Sequence, residues 1–511
     1  MTPIHPHDYI QSYEAGIEAL KTRPQDRDLQ HKVVLALARA GALDFAMSEY
    51  DRYGLAEVRD HEDIMALNGR LSKDLYLQSS GQKALKHAKD AALKYEAAFQ
   101  NTLGYYSGIN SATMALMADM PAERVSARIE AIEALLPVSR EVTSTDHYFV
   151  EATRAECFLL KGQRSKAVAA LHVAIDFDPL NYTAHATTLK QFMMISAKRG
   201  ECLDWLSDFR PPRPLHYAGH IRLNQNEMEQ EALKISISDA LQQEDVGFGF
   251  GALAAGGDIL FAESLLEQGA ELHVILPCTK EVFLRESVIP FGGDWPERFK
   301  NCLLRASSLR ELTCEQNWPD KSLNRLSGLS AMGLAKLRAE LLSVKPLQML
   351  ILNDQAAPSY TEIHAQDWAA GGHPQFKMIG GTHRSFTLTA AGEKPAVSCL
   401  LKQDGDSDAE FFPEIVTAVK IALERKSDPA SVQIALHVVL GAENTEAILD
   451  QILEGGAPHS LLATEAFASI LASVAEDAFK ITYAGQVGLD LAAPIRCYSI
   501  QLAASLPDTL S

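Results

Sequence analysis

The sequence predicts a multidomain protein, in which an all-α repeat region precedes a parallel α/β region and a small α+β region. Three observations predict this order. Residues 8–200 are rich in Ala, Leu, Glu and Lys, with regularly spaced turns. After the Pro-rich stretch DFRPPRP, strand-like apolar runs alternate with helical runs, and from residue 394 they alternate again over a shorter span. Because 511 residues exceed one hydrophobic core, we expect domains at 1–208, 213–382 and 394–505.

Composition and charge restrict the possible functions. The net charge of −19 disfavours broad contact with nucleic acid or with anionic lipid. No apolar run reaches about 18 residues, so we expect no membrane span, and the first residues lack the pattern of a signal peptide. Seven scattered cysteines without a C-x-x-C pair argue against a zinc cluster and favour a reducing compartment. We therefore expect a cytoplasmic protein that needs no metal or resident cofactor.

The first region has the spacing of repeated helical hairpins. In LLKGQRSKAVAALHVAIDFDP, Gly162 ends one helix and Pro179 closes the repeat. Ala167 and Ala174 allow two helices to approach, and Leu171 fills the next layer. The segments RAGALDFAMSEY and AALKYEAAFQ place small and bulky residues at matching offsets. An ordinary helical bundle with chance alanine spacing is the alternative.

These segments resemble tetratricopeptide repeats. LNGRLSKDLYLQ, LGYYSGINSATMALMADM and DHYFVEATRAECFLLKG, over residues 60–200, are similar to the bacterial tetratricopeptide region of the TRAF-binding type, TPR-S. A related region occurs in the centre of apoptosis signal-regulating kinases. Gly108, Ile109, Asn110 and Ala112 match the YYPGINAATL motif of that family. We expect Asn110 to be structural, as the cap of a helix start. The resemblance implies that the repeats bind a protein partner.

The middle region predicts a ligand site beyond the carboxyl ends of parallel strands. LHYAGHI is typical of a strand that ends at Gly219 and His220, and VGFGFGALAAGGD leads into a helix. The glycine spacing fits G-x-G-x-x-G poorly. The small residues would let a phosphate approach free backbone N–H groups. The alternative explanation of the glycines is a tight strand-to-helix turn that requires them geometrically. The candidate phosphate-binding residues are Gly249, Gly251, Ala252, Gly256 and Gly257.

Further candidates flank the glycines. Asp258 begins the following helix, where its carboxylate either caps N–H groups or accepts a ribose hydroxyl of the ligand. His220 either lies over the ligand or fills the domain edge. Arg285 and Arg298 are the nearest downstream basic residues for a phosphate, and Asn324, at a helix N-terminus, is a weaker candidate.

Three blocks in the middle region resemble the SLOG family. GALAAGGDILFAESLLEQGAELHVILP, SVIPFGGDWPERF and LNRLSGLSAMGLAKLRA occur in family order over residues 213–380. The resemblance implies a Rossmann-like fold, shared with DNA-processing protein A and the cytokinin-activating LOG enzymes, that binds a nucleotide-derived molecule. The LOG motif with the catalytic glutamate, P-G-G-x-G-T-x-x-E, is replaced by LPCTKEVFLRES, which favours sensing over catalysis. We expect Glu263 to face solvent or a second subunit and Trp295 to lie in the core.

The last region resembles class III nucleotide cyclases through LHVVLG, ATEAF and YAGQVGLDLAAPIRCYSI. That resemblance implies an α+β, ferredoxin-like domain in which two aspartates would hold two metals. Lys402 and Gln403 occupy the places of the first aspartate, for which only Asp404 could substitute in a shifted register, and RKSDPASV replaces the hairpin of the second. Ala447 and Gln451 replace the Asn–Arg pair that steadies the transition state. We expect an inactive domain that serves assembly.

The leading interpretation is a cytosolic signalling protein. The α/β domain would sense a nucleotide-like small molecule, the repeats would bind a protein partner, and the inactive cyclase-like domain would form a homodimer or higher oligomer. The resemblances imply a role in bacterial stress or phage defence. The alternatives are a SLOG-type enzyme that cleaves a nucleotide N-glycosidic bond, and an interaction scaffold without a ligand.

Overall fold

A computed structural model describes the chain over twelve ranges. They are residues 9–136, 147–220, 227–314, 322–352, 360–379, 382–384, 397–427, 433–440, 445–456, 460–475, 478–488 and 494–503. The chain divides into two compact units that meet in sequence between Pro211 and Pro212. We call them the helical unit and the two-sheet unit. The second and third predicted domains lie together in the two-sheet unit.

The helical unit consists of α-helices with two short 3-10 helices, Leu55–Glu57 and Asp204–Phe209, in its described part. Gly41 and Gly162 have positive φ angles of 87° and 74° at the ends of α-helices, where glycine is favoured. The α-helices are α1 Tyr9–Thr22, α2 Arg27–Arg39, α3 Leu43–Arg52, α4 Glu62–Leu77, α5 Gly81–Thr102, α6 Tyr105–Met117, α7 Ala122–Leu135, α8 His147–Leu160, α9 Arg164–Phe177 and α10 Tyr182–Lys198.

Consecutive helices pack as hairpins, α2 with α3, α4 with α5, α6 with α7 and α8 with α9. The small and bulky residues that predicted the hairpins are in their interfaces. Ala167, Leu171 and Ala174 of α9 are at most 1% exposed, and Ala91 and Tyr95 of α5 are fully buried. These contacts confirm the helical hairpins expected of tetratricopeptide-like repeats.

Asn110 is structural, but it does not cap a helix. It lies within α6 and is 6% exposed. Its Nδ2 donates to the carbonyl of Tyr106 (3.0 Å), and its Oδ1 accepts from Lys73 of α4 (3.0 Å). The expected capping role is therefore wrong, because the side chain joins two helices from inside the unit.

The two-sheet unit begins with a seven-stranded sheet in the order β4-β3-β2-β1-β5-β6-β7. All neighbouring strands are parallel except β7, which runs antiparallel to β6. The strands are β1 Arg213–Gly219, β2 Val246–Gly251, β3 Glu271–Leu276, β4 Ser308–Glu311, β5 Leu347–Leu352, β6 Gln375–Ile379 and β7 Thr382–Arg384. The helices are α11 Glu227–Gln243, α12 Gly257–Glu267, α13 Lys280–Ser287, α14 Trp295–Arg305, α15 Ser322–Leu342 and α16 Tyr360–Ala369.

Alternation along the strands gives this sheet two different faces. Leu215 and Tyr217 of β1 join an apolar cluster that contains residues of α11, α12 and α14. On the other face, His216 stacks on Trp368 of α16 at a ring-centroid distance of 6.0 Å. On that same second face, the guanidinium of Arg338 of α15 lies over the aromatic ring of Phe248 of β2. Helices therefore cover both faces, as in doubly wound sheets.

A second, mixed sheet follows in the order β12-β13-β11-β10-β8-β9. Its strands β10 and β11 are parallel neighbours, whereas a ferredoxin-like split βαβ unit places another strand between them. The ferredoxin-like expectation therefore does not describe this sheet. Its elements are β8 Cys399–Gln403, β9 Glu410–Phe412, α17 Ile415–Lys426, β10 Ile434–Val438, α18 Thr445–Gly455, β11 Leu461–Thr464, α19 Glu465–Ala475, β12 Phe479–Val487 and β13 Ile495–Leu502.

Helix α15 packs between the first sheet and α19 of the second. A Cβ on Gly333 would lie 1.6 Å from the carbonyl oxygen of Ser469, so the two helices touch at backbone distance. The hydroxyls of Ser330 and Ser469 are 2.9 Å apart, and Nζ of Lys336 donates to the carbonyl of Ser473 (3.2 Å). Among the described helices none, α15 included, has both the length and the apolar character that crossing a membrane requires.

Candidate functional site

The carboxyl edge of the parallel sheet has a topological switch point between β1 and β5. From β1 the chain adds β2, β3 and β4 on one side, and then crosses to add β5 and β6 on the other. In sheets of this kind the ligand-binding crevice lies beyond the carboxyl ends of the strands at such a point. Gly219 and His220 lie at the end of β1. The structure thus places two sequence candidates beside this crevice.

The end of β1 meets the start of α12 backbone to backbone. A Cβ on Gly219 would lie 2.5 Å from the Cα of Gly257, and one on Gly257 would lie 2.6 Å from the Cα of Gly219. The N–H of Gly257 donates to the carbonyl of His220 (3.2 Å). Gly256 precedes the helix with φ 104°, a conformation that L side chains rarely adopt. Packing and turn geometry alone therefore require glycine at these three positions.

Asp258 is a buried carboxylate in the first turn of α12. Its Oδ1 accepts the N–H of Gly219 (2.7 Å), and its Oδ2 accepts the N–H of Ala254 (3.1 Å). Burial raises the pKa of Asp258 to about 7, although the two N–H donors oppose the rise. Of the two roles expected for Asp258, the geometry supports the capping of N–H groups, because the chain itself engages both oxygens.

The same turn leaves backbone donors for a ligand. Within the described residues, the N–H groups of Asp258 and Ile259 donate to no protein acceptor, whereas those of Ala255 and Gly257 are bonded to backbone carbonyls. The first N–H groups of a helix carry partial positive charge and bind anions. Two donors at the start of α12 are therefore left without an acceptor among the described residues, next to the carboxylate of Asp258.

His220 contacts a residue that was not among the sequence candidates. Its Nε2 lies 2.9 Å from Oε1 of Glu362, in the first turn of α16, and its backbone N–H donates to Ile351 of β5 (3.0 Å). The His220 side chain is 4% exposed and that of Glu362 is 19% exposed. The pair therefore links the end of β1 to α16. One signal in the sequence could have identified Glu362. It is an acidic residue in the first turn of the helix that follows β5, and β5 is a strand at the switch point.

Gly249 and Gly251 lie within β2, and not in the turn. A Cβ on Gly249 would lie 2.2 Å from Cδ1 of Leu265, and one on Gly251 would lie 2.6 Å from the carbonyl oxygen of Tyr217. The carbonyl of Ala252 accepts the Tyr217 hydroxyl (3.0 Å). The expectation that these residues cradle a phosphate does not fit their positions, because each is used in packing β2 against β1 and α12.

Both predicted arginines are paired with carboxylates. Arg298 donates through Nε and Nη2 to the two carboxylate oxygens of Glu263 (2.8 and 2.7 Å), and its guanidinium lies 4.2 Å from the ring centroid of Trp295. Arg285 is exposed and pairs with Glu286 (2.8 Å). Glu263 therefore joins α12 to α14, contrary to the expectation of solvent or a second subunit. Trp295 packs on the apolar cluster, as expected.

Asn324 lies on the other face of the sheet from the α12 turn. It is in the first turn of α15, where its backbone adjoins His364 of α16. His364 packs on Gly328, since a Cβ there would lie 2.0 Å from its Nε2, and burial lowers the pKa of His364 to about 4. The structure does not bring Asn324 together with the glycine turn.

The second sheet offers little to a metal. Within the described residues no group of three or more His, Cys, Asp or Glu side chains could hold one. Lys402 pairs with Asp450 of α18 (2.6 Å), and the N–H of Asp404 donates to Gln433 (2.9 Å). The segment RKSDPASV, predicted to lack the second metal ligand, lies partly outside the described residues. The inactive cyclase stays a prediction.

Comparisons with known proteins concern the N-terminal part. Residues 9–115 match the family described as Tetratricopeptide Repeats-Sensor, TPR-S. A thermophilic TPR protein of Thermus thermophilus shares 15% identity with a TM-score of 0.28, over 36% of this chain and 91% of that chain. No curated protein matches. The N-terminal region is therefore tetratricopeptide-like, and such repeats mediate contacts between proteins. The SLOG and cyclase resemblances have no counterpart in these matches.

Proposed function

We propose that the two-sheet unit binds a nucleotide-derived small molecule at the switch point, and that the helical unit transmits this event to a protein partner. The proposal is supported by two features near the carboxyl end of β1: N–H groups at the start of α12 that have no acceptor among the described residues, and the His220–Glu362 pair that links β1 to α16. The resemblance to SLOG domains supports the same ligand class. Cytoplasmic signalling, including a part in bacterial defence, is the role proposed for the whole chain.

These two features suit two parts of such a ligand. The N–H groups at the start of α12 would bind a phosphate, and the carboxylate of Glu362 would accept a ribose hydroxyl. The proposed site keeps Gly219, His220 and Asp258 and gains Ile259 and Glu362. Arg285 and Arg298 are left out, because both are paired with carboxylates. Asn324 stays a weaker candidate, since its helix α15 covers the same face of the sheet as α16, which carries Glu362.

The second sheet would couple ligand binding to assembly. Its helix α19 packs against α15, whose first turns lie at the carboxyl edge of the first sheet. A ligand that stabilises one position of α15 would therefore favour one arrangement of the second sheet. Formation of a homodimer through that sheet is part of the proposal.

The first prediction tests the ligand site through side chains and not through glycines. Valine at Gly251 or Gly256 would strain the backbone or collide with Tyr217, so lost binding there would be ambiguous. We expect Glu362→Gln to weaken binding by at least tenfold, because the neutral amide accepts a hydroxyl more weakly than a carboxylate. A ligand at 100 times its Kd stabilises the fold by about 2.7 kcal/mol, which melting curves with a nucleotide panel detect.

Glu267→Gln is the matched control, since Glu267 is exposed on the same unit and pairs with Lys234. The control should bind like the wild type. A melting shift that survives in Glu362→Gln would place the ligand elsewhere. No shift with any nucleotide, nucleoside or cyclic nucleotide would leave the interaction scaffold as the better description.

A second candidate function is hydrolysis of a nucleotide N-glycosidic bond. The observation that favours it is the His220–Glu362 pair, because a histidine held by a carboxylate is a common general base. Incubation with the same panel and chromatography of released bases decides between binding and turnover. Base release that is lost in His220→Gln would establish the enzyme.

A further inference from the structure

The inner helices of the helical unit surround a closed interior. Alternate helices stack in the order α2, α4, α6, α8 and α10. In an open solenoid such a row lines a concave surface that binds an extended partner. In such an open row, the first and last helices do not contact each other, because the other helices of the row lie between them.

Here four of these helices converge on one buried hydrogen-bond network. Lys73 of α4 donates to Asn110 of α6 (3.0 Å) and to Gln191 of α10. Glu156 of α8 accepts from Thr113 of α6 and from Nε2 of Gln191 (2.7 Å). A direct bond between α4 and α10 requires the row of helices to curl until its inner face closes.

Burial shows that this interior is filled. The five network residues are at most 8% exposed, and Leu189, Phe192 and Ile195 of α10 are at most 4% exposed. Burial lowers the pKa of Lys73 to about 8 and raises that of Glu156, so water does not solvate either charge. The hydroxyl of Tyr9 on α1 also donates to Thr183 of α10 (3.1 Å). A peptide cannot enter without unpairing charges and exposing apolar side chains.

A partner must therefore use the outer face, and we infer that an acidic, leucine-bearing protein segment docks on α5. This inference rests on the proposed role of the helical unit in partner recognition. Leu85, Lys89 and Leu93 recur every four residues, and Lys86 lies beside them, so the four share one side of the helix. We call these four residues the α5 stripe.

The charge of the α5 stripe differs from that of the protein as a whole. The chain carries −19, yet Lys86, Lys89 and the adjacent Lys83 are exposed, and in the described part of the chain none of them forms an ion pair. On neighbouring α7, by contrast, Arg124 and Arg128 are both bonded to Glu96. Three unpaired cations on one helix favour an acidic partner.

The two leucines of the α5 stripe define a second property of the partner, in addition to its acidic charge. Leu85 is 37% exposed and Leu93 is 42% exposed, and their positions are two helical turns apart, about 12 Å. A partner segment would place two apolar side chains at this spacing, with Asp or Glu between them. Nucleic acid and anionic membranes need broad contact with a basic surface, which the chain's charge of −19 disfavours, whereas a short acidic segment contacts the α5 stripe alone.

The test uses the full chain and a fluorescein-labelled helical peptide that carries two leucines eight residues apart, with glutamate between them. Fluorescence anisotropy should show saturable binding that weakens at least tenfold in Lys86→Glu/Lys89→Glu. It should weaken similarly in Leu85→Ser/Leu93→Ser and with a scrambled peptide of the same composition. Lys300→Glu, on an exposed lysine of α14, is the control and should bind normally.

Several outcomes would overturn the inference. They are the absence of saturable binding, equal affinity for the scrambled peptide, and indifference to the two double variants. Binding of phosphatidylserine vesicles through the same lysines, without peptide binding, would replace the protein partner by a membrane. Circular dichroism of the double variants excludes misfolding. Because nucleotide melting shifts are measured separately, failure here and failure of the ligand site are distinguishable.

Discussion

The side chain of Glu465 joins the two sheets, because it bonds to side chains of both. Its oxygens accept from Nε and Nη2 of Arg310 on β4 (2.8 and 3.0 Å), from Arg496 on β13 (3.3 Å) and from the hydroxyl of Tyr498 (3.4 Å). Burial alone would raise the pKa of Glu465, but the two guanidinium groups hold it at about 2. The cluster therefore keeps a buried charge fully paired.

We predict that Glu465→Gln destabilises the two-sheet unit by about 2 kcal/mol, because it leaves the partly buried guanidinium groups of Arg310 and Arg496 without their charged partner. Urea unfolding at pH 7 measures the loss. Glu133→Gln, which breaks a half-exposed pair with Lys161 in the helical unit, should cost less than about 1 kcal/mol. Equal effects of the two variants would show that the Glu465 cluster contributes no more than a surface pair.

At the scale of elements, α15 depends on α19. Their contact at Gly333 and Ser469 leaves no room for a side chain, and residues of α15 such as Met332 and Ala335 are fully buried. Helix α19 thus covers the side of α15 that faces away from the first sheet. The second sheet cannot be regarded as a separate module attached for assembly alone.

We predict that a chain ending at Thr389 is destabilised and aggregates, because α15 loses the helix that covers it. The sequence alone leads to a different expectation, in which such a chain dissociates from a dimer but still binds ligand. Light scattering and binding of a hydrophobic dye, compared with the full chain, test this. A soluble truncated chain that melts like the full protein would contradict the prediction.

Local patterns explain which elements the sequence could predict. Alanine spacing in α9 and the glycine run before α12 fix short-range geometry, and both features were found where predicted. The sequence could not show whether a given glycine lies in a turn or inside a strand, as Gly251 does. It also could not reveal ion pairs between residues far apart in the sequence, such as Arg310 and Glu465. The residues adjacent to Arg310 in the sequence do not indicate which carboxylate it contacts in the folded protein.

For the whole molecule, buried histidines make stability depend on pH. Burial lowers the pKa of His31 in the helical unit, and of His364 and His437 in the two-sheet unit, to about 4. The unfolded chain, with histidine pKa values near 6.5, binds more protons between those limits. Stability is therefore complete above pH 6.5 and decreases as the pH falls towards 4. Asp258 acts oppositely, since its raised pKa contributes stability that is lost as pH rises from 3.8 to 7.

We predict that the urea midpoint of the two-sheet unit falls between pH 7 and pH 5, because His364 and His437 both take up protons on unfolding there and Asp258 alone opposes them among these three groups. The helical unit should show a smaller fall, since the raised pKa of Glu156 opposes the lowered pKa of His31. Each unit of pKa depression corresponds to about 1.4 kcal/mol. Replacing His31 by Gln should flatten the dependence of the helical unit, and replacing His364 should flatten that of the two-sheet unit. A midpoint independent of pH in both units would show that these imidazoles are protonated alike in the folded and unfolded chain.

The position of α15 between two sheets also has a consequence for synthesis on the ribosome. Helix α15 ends at Leu342, whereas α19 begins at Glu465. At 5–20 residues per second, translation of the intervening chain takes on the order of ten seconds. During that interval α15 is present without α19, and the side of α15 that α19 will cover is open to chaperones. Folding of the two-sheet unit is thus completed only after the second sheet has emerged.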